Sequence, residues 1–162
     1  MNMPADFTAR FSKRERIVSR RLIEKLFGGG SRSMAAYPVR MVYMPMVRDS
    51  ADEAVQVLIT VSKRHFKHAV RRNRVKRQLR EAYRANKHHL CNALSGSGSA
   101  LALAFIWQSD RMYGSKEVAA AMESLLKRLS ERLERKFQKK EKTVDEVGEA
   151  GVVGSLEEMP ES

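Results

Sequence analysis

The 162-residue chain contains a single cysteine, Cys91, which excludes an intramolecular disulfide framework. It has no run of 18 or more apolar residues, so we expect no membrane-spanning helix and no membrane partner. The first 17 residues are basic but contain no apolar core, which argues against a secretory signal. An odd thiol suits a reducing compartment, and these features together predict a cytoplasmic protein.

Recognisable catalytic and metal-binding arrangements are also missing. His88, His89 and Cys91 begin a pattern that zinc sites use, but no matching Cys/His pair follows elsewhere. No paired carboxylates lie in the apolar framework, and no glycine-rich loop ends in Lys-Ser/Thr. A histidine pair for phosphodiester cleavage is the remaining alternative. Because cations surround all four histidines and lower their pKa, we interpret them as solvent or phosphate contacts. The sequence therefore predicts a binding protein with no catalytic residues and no metal ligands.

Positive charge is abundant and confined to blocks. The chain has 31 Lys and Arg against 19 Asp and Glu, a net charge of +12. Residues 63–90 contain eleven of these bases and one acid, Glu81, while residues 10–32 and 127–140 are also basic and residues 141–162 are acidic. One acid cannot pair with eleven bases, and like charges repel unless an anion neutralises them. This pattern favours a nucleic acid partner over a solvated helix face.

The order of periodic segments predicts a single α+β domain. Ser19 is placed to cap a short helix that Gly28–Gly30 ends. Strands are predicted at 39–43, 55–61 and 100–107, and a long helix begins at a capping residue, Ser115. We predict a basic N-terminal arm at 1–18, a nucleic-acid-binding domain at 19–140 and an acidic disordered tail at 141–162.

The helix predicted at 70–90 has two distinct faces. Its apolar side chains share one face of the helical wheel: Val75, Leu79, Ala82, Tyr83 and Leu90. A second face is polar and basic: Asn73, Lys76, Arg77, Arg80, Arg84 and Lys87. Aromatic residues next to such a face can stack on unpaired bases, and the candidates are Phe27, Tyr43, Phe66 and Tyr83. Any of the four is equally suited to the core.

Several motifs together resemble the bacterial ribonuclease P protein family. The central one is Val61-Ser62-Lys63-Arg64 followed by Ala69-Val70-Arg71-Arg72-Asn73-Arg74-Val75-Lys76-Arg77. Arg80-Glu81-Ala82-Tyr83-Arg84 continues the same helix, and Lys13-Arg14-x-Arg16-Ile17 and Leu26-Phe27 before glycine also match. The resemblance covers roughly residues 10–135.

The resemblance implies a fold and a role. The fold is a two-layer α-β-β-β-α-β-α domain in which a central basic helix packs on a small four-stranded sheet through a left-handed crossover, with a short third strand expected near residues 66–70. In the implied holoenzyme, an endoribonuclease, a catalytic RNA uses magnesium held mainly by the RNA to remove the 5′ leader of precursor tRNA. The protein component binds that RNA and the leader and broadens the substrate range.

The resemblance also implies which residues contact RNA. The contacts to the catalytic RNA are carried over to the central helix: Arg71, Arg72, Asn73, Arg74, Lys76, Arg77, Arg80 and Arg84. A cleft between the sheet and this helix is expected to receive the leader. The residues that the resemblance implies for this cleft are Lys63, Phe27, Ile23, Lys13, Arg14 and Arg16. Ile23 departs from the pattern, since an aromatic residue is common there.

Three alternatives share some of these features. A ribosomal or other structural RNA-binding protein has similar size and charge, and co-purification with ribosomal particles would identify it. A metal-dependent nuclease would cleave RNA as a purified protein. A basic helix on an anionic membrane needs a bulkier apolar ridge than this sequence offers.

Overall fold

The computed structural model describes residues 11, 13–47, 54–94 and 98–157, with the backbone alone for 142–157. A 3₁₀ turn at Lys13–Glu15 precedes the helices. The helices are α1 Arg20–Phe27, α2 Ala69–Asn86, α3 His88–Leu94 and α4 Ser115–Glu157. The strands are β1 Arg32–Ala36, β2 Val39–Val47, β3 Val55–Thr60 and β4 Ser99–Trp107. The mixed α+β architecture is as predicted.

The four strands form one sheet in the order β1-β2-β4-β3. β1 pairs with β2 and β2 with β4 in antiparallel fashion, whereas β3 and β4 are parallel, with Val57 opposite Leu103. The parallel pair requires a crossover, which α2 and α3 supply. The left-handedness that the resemblance implies for this crossover stays a prediction.

The third strand does not lie where it was expected. Residues 66–70 form a loop and the start of α2, and the additional strand is instead β1, at the edge of the sheet. β1 has the sequence Arg-Ser-Met-Ala-Ala, in which only Met34 is buried. A short strand with one buried side chain has no apolar alternation, so periodicity could not reveal it.

The sheet is covered on both faces. Odd-numbered side chains of β4, such as Leu103 and Phe105, join the main core with α2, α3 and α4, and we call this side the α2 face. Even-numbered positions, Ala102 and Ala104, pack with Leu26 of α1 on the other side, the α1 face. The small alanines let α1 approach closely, and the prediction of a buried central strand at 100–107 is confirmed.

Three predicted helix boundaries need correction. The helix expected at 70–90 divides at Lys87 into α2 and α3. Ser115 is the first residue of α4 rather than its cap, and the Glu117 carboxylate accepts a hydrogen bond from the Gly114 N–H at 3.1 Å. Helix α4 continues to Glu157, although the sequence predicts disorder from 141; strong helix formers at 138–142 offer no break there. Residues 158–162 of the predicted tail lie outside the described residues.

At the N-terminus, the predicted cap of α1 is confirmed. The Ser19 side chain accepts a hydrogen bond from the Leu22 N–H at 3.4 Å. The helix ends at Phe27 with Gly28 as its C-cap, and Gly29 follows with φ +103, a conformation that favours glycine. In the part of the chain that the structure describes, no helix combines the length and apolarity needed to cross a membrane.

Candidate nucleic-acid interface

Helix α2 carries an exposed ridge of arginines. Its buried stripe includes Val75 and Leu79, which hold one side of the helix on the α2 face of the sheet. The arginines recur at every third position along the outer side, and we call them the arginine ridge: Arg71, Arg74, Arg77 and Arg80. Among the described residues none of the four takes part in an ion pair. The ridge therefore presents unneutralised charge over about 14 Å of helix axis, with exposed Asn73 beside it.

The other predicted contacts on α2 are less available. The Arg72 guanidinium donates hydrogen bonds to the backbone carbonyls of Phe66 at 2.8 Å and Lys67 at 2.9 Å. Arg84 pairs with the Glu81 carboxylate at 2.9 Å, and Lys76 is half-buried. Arg72 thus braces the loop that leads into α2, and it positions the arginine ridge rather than extending it.

We expect Arg72→Ala to lower the free energy of unfolding by about 1–3 kcal/mol, because two charge-assisted hydrogen bonds to the loop are lost. Arg72→Lys should recover only part of this, since an ammonium cannot reproduce the planar fork. Urea denaturation of both variants measures the effect, with the exposed Arg71→Ala as the matched control. A loss equal to that of the control would show that the brace contributes nothing.

A cavity of about 580 Å³ opens at the start of α2. Arg71 and Arg74 line it from the helix, and Arg111 lines it from the loop after β4 beside one acidic residue, Asp110. The N-cap residue, His68, makes no side-chain capping bond, so the positive end of the helix dipole adds to these charges. Arg111 was not predicted, because it lies far from the basic blocks in sequence and only the tertiary fold brings it here.

The N-terminal segment 13–18 is docked rather than a free arm. The Ile17 N–H donates to the Val57 carbonyl at 3.1 Å, and Arg16 bridges to Val57 along the edge of β3. The Arg16 guanidinium lies 5.6 Å from the centroid of the Phe11 ring. The exposed Lys13, Arg14 and Arg16 therefore lie beside the edge strand β3. Residues 1–10 of the predicted arm lie outside the described residues.

A buried ion pair joins this segment to the end of α2. The Lys87 ammonium lies 2.9 Å from the Glu15 carboxylate, and the two side chains are 2% and 10% exposed. The sequence placed Lys87 on the basic face of the helix, and that interpretation is wrong. The helical wheel describes one straight helix, whereas the change from α2 to α3 at Lys87 turns this side chain inward.

The predicted cleft residues on α1 lie on the opposite face of the sheet from α2. Ile23 is half-buried on the α1 face, and Phe27 is 48% exposed beside a cavity of about 320 Å³ that Arg40 and Ile106 also line. Phe27 therefore does not lie in a cleft between the sheet and α2. The α2 face is filled by the apolar stripe of α2 itself, whereas the shorter α1 leaves part of its face open. Lys63 is exposed just after β3.

Burial separates the four aromatic candidates. Tyr43, Phe66 and Tyr83 belong to the buried core, and Phe27 alone of the four is exposed. Aromatic residues in a basic sequence look alike whether they pack inward or outward, so only the fold could distinguish them. Phe27 is the one that can stack on a base without unfolding the core.

The histidines form two separated groups. His65 lies 2.8 Å from the Asp110 carboxylate before α2, whereas the rings of His88 and His89 lie 4.1 Å apart after it. Burial is the main cause that lowers the pKa of His89, and the charges of His88 and Lys127 lower it further. The sequence named only the neighbouring cations as a cause. No group of three or more His, Cys, Asp or Glu side chains fit to hold a metal ion occurs within the described ranges.

Solved structures with this fold include two RNase P proteins. The Staphylococcus aureus RNase P protein superposes with a TM-score of 0.53 at 21% identity, covering 70% of this chain and 93% of that chain. The Thermotoga maritima RNase P protein gives a TM-score of 0.52 at 22% identity, covering 70% and 96%. These likenesses show that the fold is the one found in those proteins.

Sequence comparison goes further. The family model described as Ribonuclease P matches residues 11–130. The ribonuclease P protein component of Porphyromonas gingivalis is 38% identical over 130 residues, which cover 80% of this chain and 92% of that protein. Matching residues extend from the docked N-terminal segment through the arginine ridge to α4. The chain belongs to the ribonuclease P protein family.

Proposed function

We propose that this ribonuclease P subunit binds the catalytic RNA through the arginine ridge and receives the 5′ leader of precursor tRNA on the α1 face. The observation that carries the first part is the absence of ion pairs on the ridge within the described residues. Unneutralised arginines on a rigid helix suit a phosphate backbone, because counterions released from the RNA favour binding. The affinity is then expected to fall steeply as salt rises.

The leader site is assigned to the side chains around α1. Phe27 offers a ring on which an unpaired base can stack, and Ile23 forms part of the apolar surface beside it. Lys13, Arg14, Arg16 and Lys63 are exposed near the edge strand β3, where they can contact phosphates of a single strand. Binding here needs no base-specific hydrogen bonds, so the site tolerates varied leaders.

The chemistry itself is assigned to the RNA. The described residues supply no cluster of ligands that fits magnesium, so we derive no step through a metal held by this chain. Magnesium held mainly by the catalytic RNA would supply Lewis-acid chemistry for the cleavage. We place the holoenzyme in the cytoplasm, where a single thiol is stable in its reduced form.

The leader assignment is tested in the assembled holoenzyme. The wild-type complex should bind precursor tRNA with a leader more tightly than mature tRNA. Phe27→Ala should weaken binding of the leader-bearing substrate about 5- to 150-fold, which corresponds to the loss of one stacked base, and leave mature tRNA unchanged. Equilibrium binding to both substrates gives the comparison.

Tyr37 provides the matched control. It is an aromatic residue that is 66% exposed, and it lies in the turn between β1 and β2, where its ring contacts Tyr113. Tyr37→Ala should leave both affinities unchanged. Equal affinity of the wild-type holoenzyme for the two substrates would refute the leader site, and equal effects of the two variants would remove Phe27 from it.

A further inference from the structure

A second basic surface lies at the opposite end of the molecule from the cavity at the start of α2. It surrounds a pocket of about 630 Å³ beneath the middle turns of α4. The pocket borders the beginning of β4, at Ser99 and Leu101, whereas the first cavity lies beyond its end. Nine residues of strand span about 25–30 Å, so the two surfaces are separate. None of the described residues that line this pocket belongs to α2.

The rim of the pocket is uniformly positive. Six cations line it: Arg32, Arg132, Arg135, Lys136, Lys139 and Lys140. Glu131 and Glu134 belong to the same helix, but neither lines the pocket. Arg32 comes from β1 and meets the α4 cations only through the fold. The rim is complementary to a polyanion, and most of its α4 residues lie beyond the stretch 11–130 that the family model matches.

The floor of the pocket is apolar and aromatic. Leu133 is buried, and Phe137 is half-buried where it lines the pocket. The Tyr43 hydroxyl accepts a hydrogen bond from the Arg132 guanidinium at 2.9 Å, which holds one rim cation against the floor. A half-exposed ring inside a ring of cations is the arrangement that single-stranded nucleic acid sites use.

We propose that this pocket binds a short single-stranded RNA segment, with one unpaired base on Phe137 and the flanking phosphates on the rim. The volume is within the range of pockets that hold small organic groups, so a base fits. A double helix does not, because its bases are stacked and paired and cannot enter. The acidic stretch 141–157 is the rival occupant. Because α4 continues as a helix to Glu157, this stretch extends beyond the rim and does not fold back into the pocket. RNA is therefore the occupant that we propose.

The test uses fluorescent oligouridylate about ten nucleotides long, within the usual site size of such surfaces. It is titrated into the full chain, free and assembled with the catalytic RNA. The double variant Lys136→Ala/Lys140→Ala should lower the slope of log affinity against log salt by about 1.4, because each lost contact to a single strand contributes about 0.7. The control Lys116→Ala removes an exposed charge from α4 outside the pocket and should leave the slope unchanged.

Phe137→Ala gives an independent measurement. It should weaken oligouridylate binding about 5- to 150-fold while circular dichroism shows an intact fold, and ultraviolet cross-links to the 132–140 segment should disappear. Unchanged binding in both pocket variants would overturn the proposal. So would a synthetic peptide of residues 142–162 that bound the pocket where oligouridylate did not.

Failure of this inference is distinguishable from failure of the proposed function. The pocket variants are expected to assemble normally with the catalytic RNA, because they leave the arginine ridge intact. A chain that does not assemble at all contradicts the proposed function, while the titration of the free chain still tests the pocket.

Discussion

Replacing Lys87 with methionine is expected to lower the free energy of unfolding by about 3–5 kcal/mol. The variant leaves the Glu15 carboxylate in an environment where it is 10% exposed, without the ammonium that lies 2.9 Å away in the wild type. A buried charge without its partner loses hydration and regains little in return. Urea denaturation at pH 7 measures the loss.

The double variant Glu15→Met/Lys87→Met should recover most of that stability, because replacing both charges removes the desolvation cost along with the attraction. Lys67→Met, at an exposed position, is the control and should change stability by less than about 0.5 kcal/mol. If Lys87→Met cost no more than this control, the pair would contribute no more to stability than a surface interaction does.

The Lys87→Met variant is also expected to loosen the N-terminal segment. Glu15 and Lys87 connect the N-terminal segment to the junction of α2 and α3 across 72 residues of sequence. In Lys87→Met, the Ile17 N–H, which bonds to the Val57 carbonyl at 3.1 Å, should exchange with solvent faster than in the wild type. Because Lys13, Arg14 and Arg16 belong to this segment, its release would also weaken the proposed leader site.

The triple variant Arg74→Ala/Arg77→Ala/Arg80→Ala is expected to lower the salt slope for the catalytic RNA by about 2.7, since each phosphate contact to a duplex contributes about 0.9. At 50 mM salt its affinity should fall by at least about 100-fold. Between 50 and 200 mM salt the wild type should then lose about 40-fold more affinity than the variant. Filter binding across this salt range measures the slope.

Lys116→Ala again serves as the control for net charge. Per charge removed, it should change the slope much less than the ridge variant does. Arg84→Ala should also have a smaller effect, because Glu81 already neutralises part of that charge. Equal slopes per charge for ridge and control would indicate a diffuse electrostatic attraction without a defined binding helix.

The sequence anticipated the elements whose side chains repeat regularly. Val75, Leu79 and Tyr83 share a helical face and are buried, and 100–107 is a central strand buried on both faces. It missed β1, because a short edge strand is stabilised by its neighbour β2 rather than by its own pattern. The position expected for a third strand, at 66–70, came from the resemblance and was wrong. Residues 66–70 show no alternation of apolar and polar side chains, and α2 begins at Ala69.

Within the site, the sequence identified the residue types but not their surroundings. Arg71, Arg72 and Arg84 look equivalent in a basic run, yet one is exposed, one braces a loop and one is paired with a carboxylate. Likewise, Arg111 is an isolated base in sequence and lines the cavity at the start of α2 in the fold. Such differences depend on contacts between distant segments, which periodicity does not contain.

The sequence by itself determined that the chain is a basic α+β protein with one amphipathic, arginine-rich helix, because charge and apolar spacing are local properties. The tertiary structure alone decided that Lys87 is buried against Glu15, that Phe27 lies on the opposite face from α2, and that Arg32 joins the cations of α4 around one pocket. Each of these depends on where a side chain lies relative to residues far along the chain. Burial and electrostatic pairing act through space, and only the packed fold determines those distances.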